Sequence, residues 1–165
     1  MRASGWALLF GVCMLSVGCG ELDPRARDAA LAEQFEMDRT GFQDAVDLMT
    51  TEPVMQRVDR RSDGSVSAQP LGADPARVGA LAGFMEKHEI LTVEGGPPNT
   101  STVAFRMYSS GIAVSGQLKS ILYSQTPPDG PVVQDTDVEI AQPSDQWRVV
   151  YRRLADDWYI KNSCC

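Results

Sequence analysis

Histidine is almost absent from this chain, which contains only His88 among its 165 residues. Every catalytic triad or dyad that depends on histidine would have to use this one side chain. The acidic residues nearest to it in sequence, Glu86 and Glu89, lie at spacings that do not meet on a helix face. We therefore interpret His88 as a favourable cation at the C-terminal end of a helix, and we expect no metal or other cofactor.

Positive charge is also scarce. The chain has 15 lysine and arginine residues against 22 aspartate and glutamate residues, which gives a net charge of −7. This balance repels phosphate backbones and anionic lipid headgroups. It argues against nucleic-acid binding and against electrostatic attachment to a membrane.

Cysteine is absent from the interior of the chain. The four cysteines are Cys13, Cys19, Cys164 and Cys165. The core must form without an internal disulfide, unless Cys19 bonds the C-terminal pair in an oxidising compartment. Adjacent cysteines can close only a strained ring, so Cys164 and Cys165 are candidates for a disulfide to another chain, for mixed disulfides or for free thiols.

Long apolar runs are missing as well, because the run from Trp6 to Leu15 is shorter than the roughly 20 residues that a membrane-spanning helix needs. Arg2 precedes this run and small residues follow it, which is typical of an export signal. Ser16-Val17-Gly18-Cys19 resembles the lipobox of bacterial lipoproteins, although Ser16 stands where those proteins usually carry leucine. The same residues also satisfy the small-x-small pattern of ordinary signal cleavage, which would release the protein unlipidated.

The lipobox resemblance implies a specific organisation of the chain. Residues 1–18 are a cleaved signal peptide, residues 19–23 form an anchored tether that begins at an acylated Cys19, and residues 24–165 form one domain. Gly20 is not the aspartate that retains lipoproteins in the inner membrane, so the resemblance implies the periplasmic face of the outer membrane. The alternative is a periplasmic or secreted protein.

Two N-terminal helices are predicted. Asp23 and Pro24 can begin the first, and its apolar stripe continues to about Thr51, with Gly41 either inside one long helix or dividing two shorter ones. The stripe consists of Leu31, Phe35, Phe42, Val46 and Met49. The second helix begins with Asp74 and Pro75, carries Val78, Leu81, Ala82 and Met85 at helical spacing, and ends near His88.

The C-terminal part predicts strands in succession. Alternating apolar residues indicate strands over 90–94, 102–108, 112–123, 147–152 and 158–160. We expect an α+β fold in which two N-terminal helices pack on a mostly antiparallel meander sheet of about five strands. Residues 54–68 are either a small hairpin or a polar loop with the basic residues Arg57, Arg60 and Arg61, and residues 134–145 are expected to be irregular and polar.

No residue pattern indicates a catalytic site. Ser115 and Lys119 have a Ser-x-x-x-Lys spacing, whereas penicillin-recognising enzymes need Ser-x-x-Lys on a helix. Asp135, Asp137 and Glu139 alternate as calcium ligands can, but they lack the glycine and later glutamate of an EF-hand, so we expect them to be solvated.

A binding protein is therefore favoured over an enzyme. We expect a lipid-anchored accessory protein of the cell envelope with an envelope protein as partner, and Trp147, Trp158 and Tyr159 are the candidate contact surface, although such rings often fill a core. The alternative is a small envelope hydrolase that uses carboxylates. The segment from Gly111 to Lys119, together with Trp158-Tyr159, resembles small exported proteobacterial proteins of unknown function, which implies no particular chemistry.

Overall fold

One antiparallel sheet organises the molecule in a computed structural model that describes residues 23–51, 54–70, 72–96, 101–112, 115–142 and 146–164. Its seven strands have the order β2-β1-β3-β4-β5-β7-β6. They are β1 (Arg57–Arg60), β2 (Val66–Gln69), β3 (Thr92–Gly95), β4 (Thr102–Ile112), β5 (Ser115–Ser124), β6 (Arg148–Ala155) and β7 (Trp158–Cys164). Strands β3, β4 and β5 form a meander, and β6 and β7 form the predicted terminal hairpin.

The helices are α1 (Asp28–Met37), α2 (Arg39–Thr50), α3 (Pro75–Lys87) and the short α4 (Thr136–Ile140), and a single 3-10 turn (Pro24–Ala26) precedes α1. The predicted start of α3 is confirmed. The Asp74 side chain accepts a hydrogen bond from the Ala76 amide, and Pro75 is the first helical residue. Asp23 also acts as a cap, but of the 3-10 turn rather than of an α-helix.

The main core lies between one face of the sheet and helices α1, α2 and α3. Val93, Phe105, Ile121 and Ile160 are paired across β3, β4, β5 and β7, and all four are fully buried on this face. Aromatic rings from the helices complete the layer. The rings of Phe35 and Trp158 lie 4.9 Å apart between centroids.

The opposite face of the sheet carries a smaller cluster in which Leu122, Tyr151 and Tyr159 are buried against one another. Trp158 and Tyr159 are consecutive on β7, so their side chains point to opposite faces. Both are buried, whereas Trp147, just before β6, is 50% exposed. The three aromatic residues of the predicted contact surface therefore do not form one surface.

The predicted arrangement of two helices on about five strands is wrong. The chain does contain helices and an antiparallel sheet, but the described residues form seven strands and four helices, three of which have ten or more residues. Residues 57–69 account for both additional strands, because the ambiguous segment is a hairpin that extends the sheet beyond β3. Arg57 lies within it and pairs with Asp59 at 2.7 Å.

Two other predictions need correction. The first predicted helix is divided, but at Asp38 rather than at Gly41, because Asp38 leaves the helical conformation and caps α2. The segment 134–145, expected to be irregular, contains α4. Asp135 caps this helix by accepting hydrogen bonds from the amides of Asp137 and Val138.

Candidate functional site

A cleft of about 580 Å³ opens where α1, the C-terminal end of α3 and strand β4 meet. Its lining combines apolar side chains with charges of both signs. The lining residues are Asp23, Arg25, Ala26, Ala30, Leu31, Gln34, Met37, Asp38, Lys87, His88, Glu89, Met107 and Tyr108. Clefts of this size hold small molecules or parts of larger ones.

The apolar wall of the cleft comes from α1 and from an irregularity in β4. Met107 and Tyr108 are consecutive residues, yet both line the cleft. The register of β4 against β5 shifts between Arg106 and Tyr108, and such a bulge redirects side chains locally. Met37 faces the cleft from the end of α1 and is 74% exposed, so the wall has a large apolar side chain in contact with solvent.

His88 forms part of the inner surface and is only 6% exposed. Its Nε2 lies 2.7 Å from Asp38 Oδ2, and its Nδ1 lies 3.3 Å from Gln34 Nε2. Since an ionised carboxylate only accepts and an amide nitrogen only donates, this network assigns the ring proton to Nε2. Both ring nitrogens are therefore engaged by protein groups, and the histidine positions α1 and α2 against α3.

Asp38 connects two helices of the fold. Its carboxylate accepts a hydrogen bond from the Gly41 amide in the first turn of α2, and it binds Lys87 Nζ at 2.6 Å and the His88 ring. The Lys87 ammonium, followed by the His88 hydrogen bond, holds the pKa of Asp38 below its usual range. The carboxylate stays ionised at neutral pH and joins the start of α2 to the end of α3.

Glu89 lies at the rim of the cleft in an unusual backbone conformation. The Ile90 amide donates to the Met85 carbonyl and the Glu89 amide donates to the Glu86 carbonyl, which is the Schellman arrangement of a helix end. The residue between His88 and Ile90 must then be left-handed, and Glu89 has φ = 54°. Glycine is the usual residue at this position. The Glu89 side chain binds Arg25 Nη1 at 2.9 Å across the cleft.

A second polar cluster lies inside the fold, around Lys119. This lysine is fully buried and its ammonium binds Asp28 Oδ1 at 2.6 Å and also the carboxylate of Asp137. The two carboxylates also cap each other's helices: the Asp28 amide donates to Asp137, and the Thr136 amide donates to Asp28 at 2.7 Å. The N-termini of α1 and α4 are thus joined through one lysine.

This cluster is a structural element rather than a binding site. Asp28, Asp135 and Asp137 bring carboxylate oxygens within 4.8 Å of one another, as ligands of a cation would be. However, Lys119 already supplies a positive charge between two of them, and Asp135 is used to cap α4. The prediction that the carboxylates of residues 135–139 are solvated is therefore wrong for Asp137, which is partly buried against Lys119.

The remaining predicted site residues are dispersed. Cys164 is buried and disulfide-bonded. Cys19, Cys165 and the signal segment 1–18 lie outside the described residues. Trp147 is exposed at the sheet edge formed by β6, away from the residues that line the cleft.

Sequence reasoning missed the cleft because its polar contacts join distant parts of the chain. Asp38 and His88 are separated by 50 residues, and neither their types nor their spacing indicates a contact. One local signal was available. Asp38 is a good N-cap residue three positions before Gly41, which marks a helix start inside the predicted long helix.

The chain matches no protein-family model, no curated protein and no solved structure. Within the described ranges, no helix has the length and apolar composition needed to cross a membrane.

Proposed function

We propose that this protein is a lipid-anchored accessory protein of a bacterial cell envelope and that its domain binds a ligand in the cleft without transforming it. The cleft carries the proposal. It offers an apolar wall and charged groups at its rim, while the histidine inside it has both nitrogens engaged by Asp38 and Gln34. A site of this kind can position a ligand through its apolar wall and rim charges, and its histidine has no ring nitrogen left to act as a base.

The anchor is supported by the lipobox-like sequence that ends at Cys19, and Gly20 favours the outer membrane over the inner one. Asp23, which lines the cleft, is four residue steps along the chain from Cys19. A chain segment of that length reaches at most about 14 Å. If Cys19 carries acyl chains, the mouth of the cleft is therefore close to the membrane surface.

The anchor is tested by the mass and location of the mature protein. The full-length chain is expressed in a bacterium with an outer membrane, the membranes are separated by density, and the intact protein is analysed by mass spectrometry. We expect a protein in the outer-membrane fraction that begins at Cys19 and carries three acyl chains.

The matched control is Cys19→Ser, which should lose the acyl chains and leave the outer-membrane fraction. A chain that retains Met1, or one that begins at an unmodified Cys19 or Gly20, would contradict the anchor. An unmodified but exported chain would instead support the periplasmic or secreted alternative.

A further inference from the structure

The charges at the rim of the cleft restrict the ligand. The carboxylates are those of Asp23, Asp38 and Glu89, and the cations are those of Arg25 and Lys87. The excess of negative charge disfavours an anionic ligand, because such a ligand would meet unmatched carboxylates. A ligand with positive charge alone would leave the N–H donors of the two cations without an acceptor of its own. A ligand with one charge of each sign matches this rim.

The ion pairs at the rim are accessible to such a ligand. The side chains of Arg25 and Glu89 are 76% and 65% exposed, and that of Lys87 is 63% exposed. Exposed ion pairs contribute little to stability, so a zwitterion can exchange partners with them at small cost. Arginine and lysine both have N–H donors beyond those used in these pairs.

The backbone conformation of Glu89 is an independent indication that its carboxylate has a function at the cleft. A non-glycine residue in the left-handed region is strained, and glycine would satisfy this helix end without that strain. Backbone strain of this kind is typical of functional sites. The strain supports a function for the carboxylate at the cleft.

The apolar part of the cleft fits a flexible hydrocarbon. Met37 and Met107 contribute unbranched, adaptable side chains, and Leu31 and Ala30 complete the wall. The ligand therefore combines a zwitterionic head with an apolar body. The nearest source of such molecules is the membrane, which the tether from Cys19 to Asp23 would bring within about 14 Å of the cleft.

We infer that the cleft holds the head and the first part of the chains of one membrane phospholipid with an ammonium-bearing zwitterionic headgroup. Its phosphate contacts Arg25 and Lys87, its ammonium contacts Glu89, and its chains begin along Met37 and Met107. This inference rests on the proposed function, because it identifies the ligand of the same cleft. A volume of about 580 Å³ accommodates a headgroup and the start of the chains, not a whole lipid.

The methionines allow a direct test with an internal control. Met37 and Met107 line the cleft, whereas Met49, Met55 and Met85 are at most 1% exposed in the core. The mature protein is labelled with ¹³C at the methionine methyl groups, held in a non-ionic detergent and titrated with dihexanoyl phosphatidylethanolamine or dihexanoyl phosphatidylglycerol. The two probes have the same chains and differ in headgroup charge.

We expect phosphatidylethanolamine to shift the methyl signals of Met37 and Met107, to leave the three core methionines unchanged, and to bind at least tenfold more tightly than phosphatidylglycerol. Glu89→Gln keeps the size of the side chain and should weaken phosphatidylethanolamine about tenfold. Glu86→Gln is the matched control, because Glu86 is an exposed glutamate on the same helix end that does not line the cleft, and it should have no effect.

The outcomes separate the two proposals. The inference of a zwitterionic lipid would be overturned if both probes bound with equal affinity. It would also be overturned if wild type and Glu89→Gln bound phosphatidylethanolamine equally well. In either case the cleft would bind amphiphiles in general. If neither probe shifts Met37 or Met107, the lipid inference is overturned, whereas the anchor is tested separately by the mass and location of the mature protein.

Discussion

At the cleft, the backbone conformation of Glu89 affects both the stability of the fold and the proposed binding of a ligand. Glu89 occupies a left-handed position that favours glycine, and Asp157, in the turn between β6 and β7, has a similar φ of 62°. The two residues share the backbone conformation but only Glu89 lines the cleft. They form a matched pair for separating a local conformational cost from a function.

Glu89→Gly should raise the free energy of unfolding by about 1 kcal/mol, because it relieves the left-handed conformation and loses only an exposed ion pair with Arg25. Asp157→Gly should give a similar gain. Chemical denaturation measures both changes. A loss of stability in Glu89→Gly together with a gain in Asp157→Gly would mean that the Arg25 pair is structurally important.

At Gly41, contact with the Asp38 side chain should reverse the usual effect of replacing a helical glycine by alanine. A Cβ atom at this position would lie 2.6 Å from Asp38 Oδ2, which is held by Lys87 and His88. Replacing a helical glycine by alanine ordinarily stabilises by about 1 kcal/mol. The contact with Asp38 should remove this gain.

Gly41→Ala should therefore lower the free energy of unfolding by about 1 kcal/mol, which corresponds to losing the Asp38 cap. Gly83→Ala in α3 is the matched control, because a Cβ there has no atom within 4 Å among its described neighbours, and it should stabilise by about 0.5–1 kcal/mol. The comparison needs only thermal or chemical denaturation. Stabilisation by both variants would show that Asp38 can move without loss.

At the scale of elements, the helices are fixed by polar contacts at their ends. Asp38 joins the start of α2 to the end of α3, and Lys119 joins the starts of α1 and α4. Each junction consists of an ionised group with several partners. Their contributions can be measured by removing one charge at a time.

Lys119→Met should lower the free energy of unfolding by about 3–5 kcal/mol, because it leaves the buried Asp28 carboxylate without its ammonium partner. Lys161→Met is the control on the neighbouring strand. Lys161 is only partly buried, and its substitution should change stability by about 0.5 kcal/mol or less. A small effect of Lys119→Met would mean that the helix N-termini and Arg152, whose Nη1 lies 3.8 Å from Asp28 Oδ2, are enough to stabilise the carboxylates.

Asp38→Asn retains a capping side chain but removes the charge, so it should lower the free energy of unfolding by about 1–2 kcal/mol at pH 7. The pKa of Asp38 is lower in the folded protein than in the unfolded chain. Its stabilisation is therefore complete above the unfolded pKa, about 3.9, and is lost as the pH falls through the lower folded pKa. The difference between wild type and Asp38→Asn should disappear in acid, as measured by denaturation at a series of pH values. A difference that is independent of pH would contradict this role.

Elements with strong local signals could be predicted from the sequence, and short ones with few apolar residues could not. Helix α3 has a cap, an N-terminal proline and 13 residues of apolar periodicity. Helix α4 has five residues and strands β1 and β2 have four each, and they contain few large apolar residues. Strand β3 is equally short, but the apolar and β-branched residues of 90–94 indicated it. The placement of α4, β1 and β2 depends on contacts with the rest of the sheet and with α1, which no local pattern contains.

The division of the first helix shows the same limit. The apolar stripe from Leu31 to Met49 continues across Asp38, because α1 and α2 bury their apolar faces in the same core. Periodicity therefore indicated one continuous apolar stripe, with Gly41 as the candidate break, and it gave no sign of a break at Asp38. The polar contacts of Asp38 with Lys87 and His88 stabilise the break, and they come from a helix far along the chain.

The whole molecule has one face of its sheet covered by helices and a cleft near the start of the described chain. The cleft lies beside Asp23, while Trp147 and the β6 edge lie at the other end of the strand order from β2. The position of the cleft near the tether connects the two proposals. An anchor at Cys19 would place the ligand site at the surface from which the ligand comes.

Native mass spectrometry of the mature protein released from its own membranes tests this account most directly. We predict a chain that begins at an acylated Cys19 and carries one phospholipid with an ethanolamine headgroup, and we predict that a much smaller fraction of Glu89→Gln carries that lipid. An acylated wild-type chain without a bound phospholipid would contradict the account. Equal amounts of the lipid on the wild type and on Glu89→Gln would contradict it as well.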